Sequence, residues 1–422
     1  MKTQGKSKLL MFILFVTLLS ACNIIENPSA LVKAPNDLIE PPQNADEQKT
    51  KLKEKLNQLL PSNIEFITAK HGITKESIVI KDANGDGALK AFVLYRGNGN
   101  NRNIHLLVLN EKDGEWLEES RIETSYYLAD YFGLYDLDED GALEVVIGLG
   151  FSDFETEKQL SIYQWVNGEL EHVLEQPYEQ LDVADYDGDG RQDVLLVHGK
   201  RREFYIAELF RYEERKLQSR STVSLNPYAF HENIESGKLR DGHQALFIDS
   251  AVGAHSMTTE MVVYDEENLV KLEEDMMKAN PLYSRDINRD GVIEVGGMYV
   301  PEGWKDTSFA DIPFIEYYST YSINGDSKRV MERYTDRQRR FYIEISPLWS
   351  EKVTVNKIED GVQLVDINNH KVLFEIQWKA KGSVDSSSVT ILAETKDTVF
   401  YTEIEEVQAF PFEQFHLLKD EF

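Results

Sequence analysis

The feature that most constrains this chain is a short acidic loop that recurs and each time runs straight into an apolar strand. Asp185-Tyr186-Asp187-Gly188-Asp189-Gly190-Arg191-Gln192-Asp193 leads into Val194-Leu195-Leu196-Val197. Asp136-Leu137-Asp138-Glu139-Asp140-Gly141-Ala142-Leu143-Glu144 leads into Val145-Val146-Ile147 in the same way, and Asp286-Ile287-Asn288-Arg289-Asp290-Gly291-Val292-Ile293-Glu294 into Val295. A weaker copy, Asp82-Ala83-Asn84-Gly85-Asp86-Gly87, precedes Phe92-Val93-Leu94-Tyr95. The loops start at 82, 136, 185 and 286, so the steps are 54, 49 and 101 residues. The last step is twice the others and predicts a hidden copy near 236. There Gly237 to Ile248 keeps Asp241-Gly242 and an apolar strand but has lost the acids at positions 1, 3 and 9. Five units of about fifty residues imply a propeller or solenoid, in which each unit buries its apolar face on its neighbours.

Acids at positions 1, 3 and 5 of a tight loop, with glycine at 6, converge hard oxygens on one point, and six to eight oxygens at roughly 2.3–2.6 Å suit calcium. An EF-hand would need a glutamate at position 12; that position holds Val93, Ile147, Leu196 and Gly297. The acid stands at position 9 instead, as Glu144, Asp193 and Glu294. The candidate ligand sets are therefore Asp136, Asp138, Asp140 and Glu144; Asp185, Asp187, Asp189 and Asp193; and Asp286, Asn288, Asp290 and Glu294. In the first copy Asp82, Asn84 and Asp86 remain, but Lys90 puts a cation at position 9. By carboxylate count the 136 and 185 loops should hold the ion most tightly and the 286 loop, with Asn288, less so.

From Ile64 to about Ile323 the chain resembles the FG-GAP/VCBS repeats, the integrin-α-like β-propellers, most closely at Tyr131-Phe132-Gly133-Leu134-Tyr135-Asp136. The resemblance implies Ca2+ at these loops in a structural role. The expected fold is all-β: a propeller of about five to six blades at 47–327, built from short antiparallel strands with turns such as Asp113-Gly114. A small C-terminal β-rich domain is expected at 328–422, with a hairpin around Asn368-Asn369. Ahead of the propeller, Leu52, Leu56, Leu59 and Leu60 share one helical face, and Pro61 ends that helix.

Residues 1–21 read as a lipoprotein signal peptide: Lys2, Lys6 and Lys8, an apolar run from Leu9, and Leu19-Ser20-Ala21-Cys22, which resembles the bacterial lipobox. Cys22, the sole cysteine, would carry the lipid, and 22–46, with Pro28, Pro35, Pro41 and Pro42, would be a tether. The expected location is the extracytoplasmic face of a bacterial cell membrane. A net charge of −29 argues against nucleic acid as a partner. The chain has no Gly-x-Ser-x-Gly, no phosphate loop and no His-Glu-x-x-His, and its nine histidines are scattered singly. These observations lead to a non-catalytic, calcium-stabilised lipoprotein that binds an envelope protein or cell-wall glycan. The alternative is a propeller-type polysaccharide lyase or hydrolase at the cell envelope.

Overall fold

The computed structural model describes residues 45–418, apart from 98–101, 155, 167, 214–215, 255, 273–277, 279–280, 386–387 and 405–410. The signal peptide, Cys22 and most of the tether expected from the sequence lie outside these residues. No described helix is long and apolar enough to cross a membrane.

Among the described residues the strands form six antiparallel sheets that follow one another along the chain. The second consists of Leu128–Tyr135, Glu144–Gly150, Lys158–Val166 and Glu169–Tyr178, paired in that order. The third repeats the meander with Gln180–Ala184, Asp193–Lys200, Phe204–Glu213 and Lys216–Ser224. The fourth uses Phe230–Lys238, Gln244–Gly253, Ser256–Asp265 and Asn268–Leu272, and this is the unit whose loop has lost its acids. In the first sheet Ile64–Phe66 and Ile78–Lys81 share one edge of Lys90–Gly97, which continues to Ile104–Lys112 and Glu115–Glu123. Asp113 and Gly114 have φ of 53° and 81° in the hairpin expected there, the left-handed pair that a tight two-residue turn requires.

This is the order of propeller blades, and the burial pattern explains why the sequence builds it. Side chains alternate faces along a strand. Val145 and Ile147 pack with Phe92, Leu94, Leu106 and Val108 of the first blade. Val146, between them, packs with Leu181, Val183, Val194 and Leu196 of the third. Likewise Leu195 and Val197 face Leu246, Ile248 and Val262 of the fourth blade, and Phe247 and Val263 face Val295 and Tyr321 of the fifth. A strand covered on both sides reads as an unbroken apolar run, which is how Val145 to Leu149 and Val194 to Val197 appear in the sequence.

The first blade's other face is covered by helix α1 (Ala45–Leu59). Its Leu52 and Leu56, with Leu60, meet Ala91, Val93, Leu107, Leu109 and Trp116. At the far end, the fifth sheet runs Val295–Tyr299, Ile315–Tyr321, Ser327–Asp336, Phe341–Ile345 and Phe415–Leu417. The boundary expected at 327/328 falls on the third of these strands, because Ile315 to Tyr321 pairs with Ser327 to Tyr334. The sixth sheet (Val353–Ile358, Gly361–Asp366, Val372–Ala380, Thr398–Thr402, Thr390–Glu394) contains the expected hairpin. It shares one core with the fifth through Ile315, Phe341, Ile343, Val355, Leu364, Phe374 and Phe400. The C-terminal strands therefore continue the stack.

Two outcomes follow. Leu56→Ala should lower unfolding stability by about 2–5 kcal/mol in urea titration, as deletion of a buried leucine side chain does; a loss under about 1 kcal/mol would mean the helix is not a structural cap. A chain ending at 327 should lose cooperative thermal unfolding, since it lacks three strands of the fifth sheet and all of the sixth; a sharp melt at the full chain's temperature would contradict the shared core.

Candidate functional site

The 136 and 185 loops join the first strand of a blade to the second, the 82 loop joins Ile78–Lys81 to Lys90–Gly97, and the 286 loop leads into Val295–Tyr299, the first strand of the fifth sheet; the loops fold alike. The carboxylate at position 1 accepts from the N–H at position 6: Asp82 from Gly87 at 3.0 Å, Asp185 from Gly190 at 3.0 Å and Asp286 from Gly291 at 2.8 Å. The acid at position 5 accepts from position 7: Asp86 from Ala88, Asp140 from Ala142 and Asp189 from Arg191 at 2.8 Å, and Asp290 from Val292 at 2.9 Å. The acid at position 9 reaches back to position 2: Glu144 to the N–H of Leu137 at 2.8 Å, Asp193 to Tyr186 at 3.1 Å and Glu294 to Ile287 at 3.0 Å. At position 6, Gly141, Gly190 and Gly291 have φ of 88°, 95° and 84°, with open space where a Cβ would stand. The backbone conformation, not crowding, demands glycine there.

The loops differ in what meets their charge. In the second blade, carboxylate oxygens of Asp136, Asp138 and Glu144 lie within 4.8 Å of one another. Glu144 is only 2% exposed. Burial pushes its carboxyl up to about 8 against the Leu137 hydrogen bond, and Asp138, Asp140 and Asp136 add repulsion. Asp136 Oδ1 is buried and has no hydrogen-bond partner. The pairing of Val145 with Tyr163 places neutral Gln164 beside Glu144, and Gln164 accepts from the Tyr212 hydroxyl at 3.1 Å. An oxygen-seeking divalent cation fits this donor set, because it would satisfy the orphaned oxygen and the repulsion together.

In the third blade, Asp185, Asp187 and Asp193 also converge within 4.8 Å. Here Arg211 on the neighbouring strand donates from Nε to Asp193 Oδ1 at 2.6 Å and from an Nη to Asp193 Oδ2 at 3.2 Å. The same guanidinium stands 2.7 Å from Asp187 Oδ2. In the fifth blade a neutral amide does the linking: Asn288 Nδ2 donates to Asp290 at 3.0 Å and to Glu294 at 3.4 Å. The first loop lacks an acid at position 9, where Lys90 stands. Lys90 is fully buried and turns to Glu119, at 2.8 and 2.9 Å, and to the Trp165 ring. In the fourth blade Asp241 accepts from the Ile323 N–H at 2.8 Å, tying that loop to the fifth blade.

A cavity of about 340 Å³ lies where the fourth and fifth blades meet, with Glu235, Tyr283, Arg285, Tyr318, Arg333 and Arg337 in its lining. Burial raises the Glu235 carboxyl, and Asp182 and Asp249 push it the same way. Arg333 and Arg337 both donate to Glu316, at 3.0 and 2.6 Å. One wall is held by Asp249, fully buried, which accepts from Thr259 at 2.6 Å, Lys278 at 2.8 Å, Asn233 at 2.9 Å and the Ser284 N–H at 2.6 Å. Sequence reasoning missed this cavity. Its residues span more than a hundred positions, and only the docking of the two blades brings them together.

No protein-family model matches the chain, and no curated protein matches it. Among solved structures, the β-propeller domain of the Trilobed protease from Pyrococcus furiosus is 10% identical. That match covers 75% of this chain and 95% of the other, with a TM-score of 0.27. A Bacillus licheniformis rhamnogalacturonan lyase is 11% identical, covering 82% and 76%, at 0.29. A hypothetical selenium-binding protein from Sulfolobus tokodaii is 10% identical at 0.30, and the chain spans 56% of its length. The fold rests on the sheet order and shared cores described above, not on these similarities.

Asp249→Ala should destabilise the protein by about 3–5 kcal/mol in denaturant titration, because it leaves the Lys278 ammonium buried and unpaired. Restoration of most of that loss by adding Lys278→Met would identify the unpaired charge as the cause.

Proposed function

We propose that this protein is a non-catalytic, calcium-stabilised binding module of the bacterial cell surface, of the FG-GAP/VCBS type, held to the membrane by a lipid on Cys22. The observation that carries the calcium reading is the second-blade loop. Three carboxylates converge there, one oxygen is buried without a partner, and the charges acting on Glu144 are all of its own sign. The ion would clamp the first strand of the blade to the second and relieve that repulsion. The 286–294 loop offers a second site with one carboxylate fewer. The ligand surface is the cavity between the fourth and fifth blades, where arginines and tyrosines are arranged in a chain that is otherwise strongly acidic. An acidic cell-wall glycan matches it: guanidinium groups suit carboxylates, and tyrosine faces suit sugar rings.

One observation favours the second reading, a lyase or hydrolase acting on such a glycan. Glu235 lies in the same cavity as the arginines, and burial, with Asp182 and Asp249, raises its carboxyl in the direction that suits a general acid.

The calcium reading is tested by thermal unfolding with millimolar calcium and then with excess chelator. A ligand that binds only the folded state at about a hundred times its dissociation constant adds about 2.7 kcal/mol per site. The melting temperature should therefore fall by several degrees on chelation, and Asp138→Asn should remove the share of that response that comes from the 136–144 loop. An unchanged melt would defeat it. The two functional readings separate on incubation with uronate-containing polysaccharides: saturable binding with no new reducing ends or unsaturated sugars supports the module. Chain cleavage that disappears in Glu235→Gln would establish the enzyme instead.

A further inference from the structure

The second- and third-blade loops carry the same number of carboxylates, and by composition they are equals. We infer that they are not: the 185–193 loop is closed by the protein's own guanidinium, Arg211, and takes no calcium ion. The inference rests on the calcium reading only for its contrast with the 136–144 loop.

Every carboxylate oxygen of the third-blade loop has a partner, and what sets it apart from the second-blade loop is a guanidinium among those partners. Asp185 Oδ1 accepts from the Gly188 N–H at 2.7 Å and Oδ2 from the Gly190 N–H at 3.0 Å. Asp187 Oδ1 accepts from the Asp189 N–H at 3.0 Å, and Oδ2 meets Arg211 at 2.7 Å. Asp189 Oδ1 accepts from the Arg191 N–H at 2.8 Å, and Oδ2 stands 3.3 Å from the Arg191 Nε. Asp193 Oδ1 meets Arg211 Nε at 2.6 Å, and Oδ2 accepts from the Tyr186 N–H and from an Arg211 Nη. All eight oxygens of the four acids have partners, and a cation bridges the acids at positions 3 and 9. In the second blade the oxygen of Asp136 remains orphaned.

Register decides which loop receives the cation. Val194 pairs with Phe210, so Arg211 stands beside position 9 of its loop. The same step puts Gln164 beside Glu144 and Thr320 beside Glu294, and both are neutral. Arg211 is also seated rather than free to swing out. Its side chain is 15% exposed, Asp193 is 1% exposed, and the guanidinium lies 5.1 Å from the centre of the Tyr264 ring in the next blade. A calcium ion at this loop would have to displace a doubly bonded arginine and leave it buried near another cation, which low-dielectric surroundings penalise heavily.

The test counts bound calcium on the full-length protein by equilibrium dialysis, with melting followed in calcium and in chelator. Asp187→Asn should leave the calcium count unchanged and lower the melting temperature equally in both conditions. Asp138→Asn should remove one equivalent. Arg211→Gln, which copies the second blade, should gain one equivalent and a larger calcium-dependent melting shift. Loss of one equivalent in Asp187→Asn would overturn the inference, as would an unchanged count in a folded Arg211→Gln; if Arg211→Gln does not fold, the Asp187→Asn arm decides alone. A wild-type protein that binds no calcium, with Asp138→Asn silent, would defeat the calcium reading of 136–144 while the gain or lack of gain in Arg211→Gln still decides the third-blade loop.

Discussion

The structure depends on one constraint: the middle strands of each blade have two apolar faces, and each face must be covered by a different neighbour. Val145 and Ile147 serve one core while Val146 serves the next. Strand register is therefore coupled to the whole stack, because a one-residue slip would exchange the two sets. Among the described residues no sheet precedes the first blade, and α1 covers its other face with Leu52, Leu56 and Leu60. The same need explains why the chain does not divide after the fifth repeat. Ile315, Phe341 and Ile343 are completed by the sixth sheet, and Phe415–Leu417 returns to pair with Phe341–Ile345.

The loops pose the opposite problem, since they gather like charges at the ends of buried strands. The position-9 acids Glu144, Asp193 and Glu294 are all buried, so water does not relieve them. The protein meets that charge in three ways. Arg211 supplies a cation in the third blade, and the Asn288 amide links the acids in the fifth. In the first, position 9 is itself a cation, Lys90, which binds Glu119 across the sheet. The second blade has none of these devices, and its Asp136 oxygen is left without a partner.

Much of this was legible because a blade is a local object. Loop, strand and turn lie within about fifty residues, so the period, the acid-poor fourth copy and the position of α1 follow from spacing and apolar pattern. Three things were not legible. The break at 327 was drawn where the acidic repeat stops, but Ser327–Asp336 belongs to the fifth sheet by pairing, and a sheet can go on after its loop motif ends. Arg211 stands eighteen residues beyond Asp193 and has no motif; only the hairpin register brings it to the loop. The cavity draws Glu235 from one blade and Arg333 and Arg337 from another, a juxtaposition set by how the blades dock.

That docking also links loop and cavity. Arg285 lines the cavity, and Asp286 is the first residue of the fifth-blade loop. Arg285 and Glu294 exchange backbone hydrogen bonds at 3.0 Å in both directions, so the loop closes on the residue that faces the cavity. Ser284, one residue earlier, is fixed to Asp249 and thereby to Lys278 and Asn233 of the wall. Lys238 and Val292 form a further bridge, with the Ile293 N–H donating to the Lys238 carbonyl at 3.0 Å, so the loop is also tied to the fourth blade. Order in this loop and the shape of the cavity are therefore one mechanical property. The acids of the 286–294 loop sit where a bound cation would act on the shape of the cavity as well as on stability, whereas the 136–144 loop, in a blade that contributes nothing to the cavity lining, would act on stability alone.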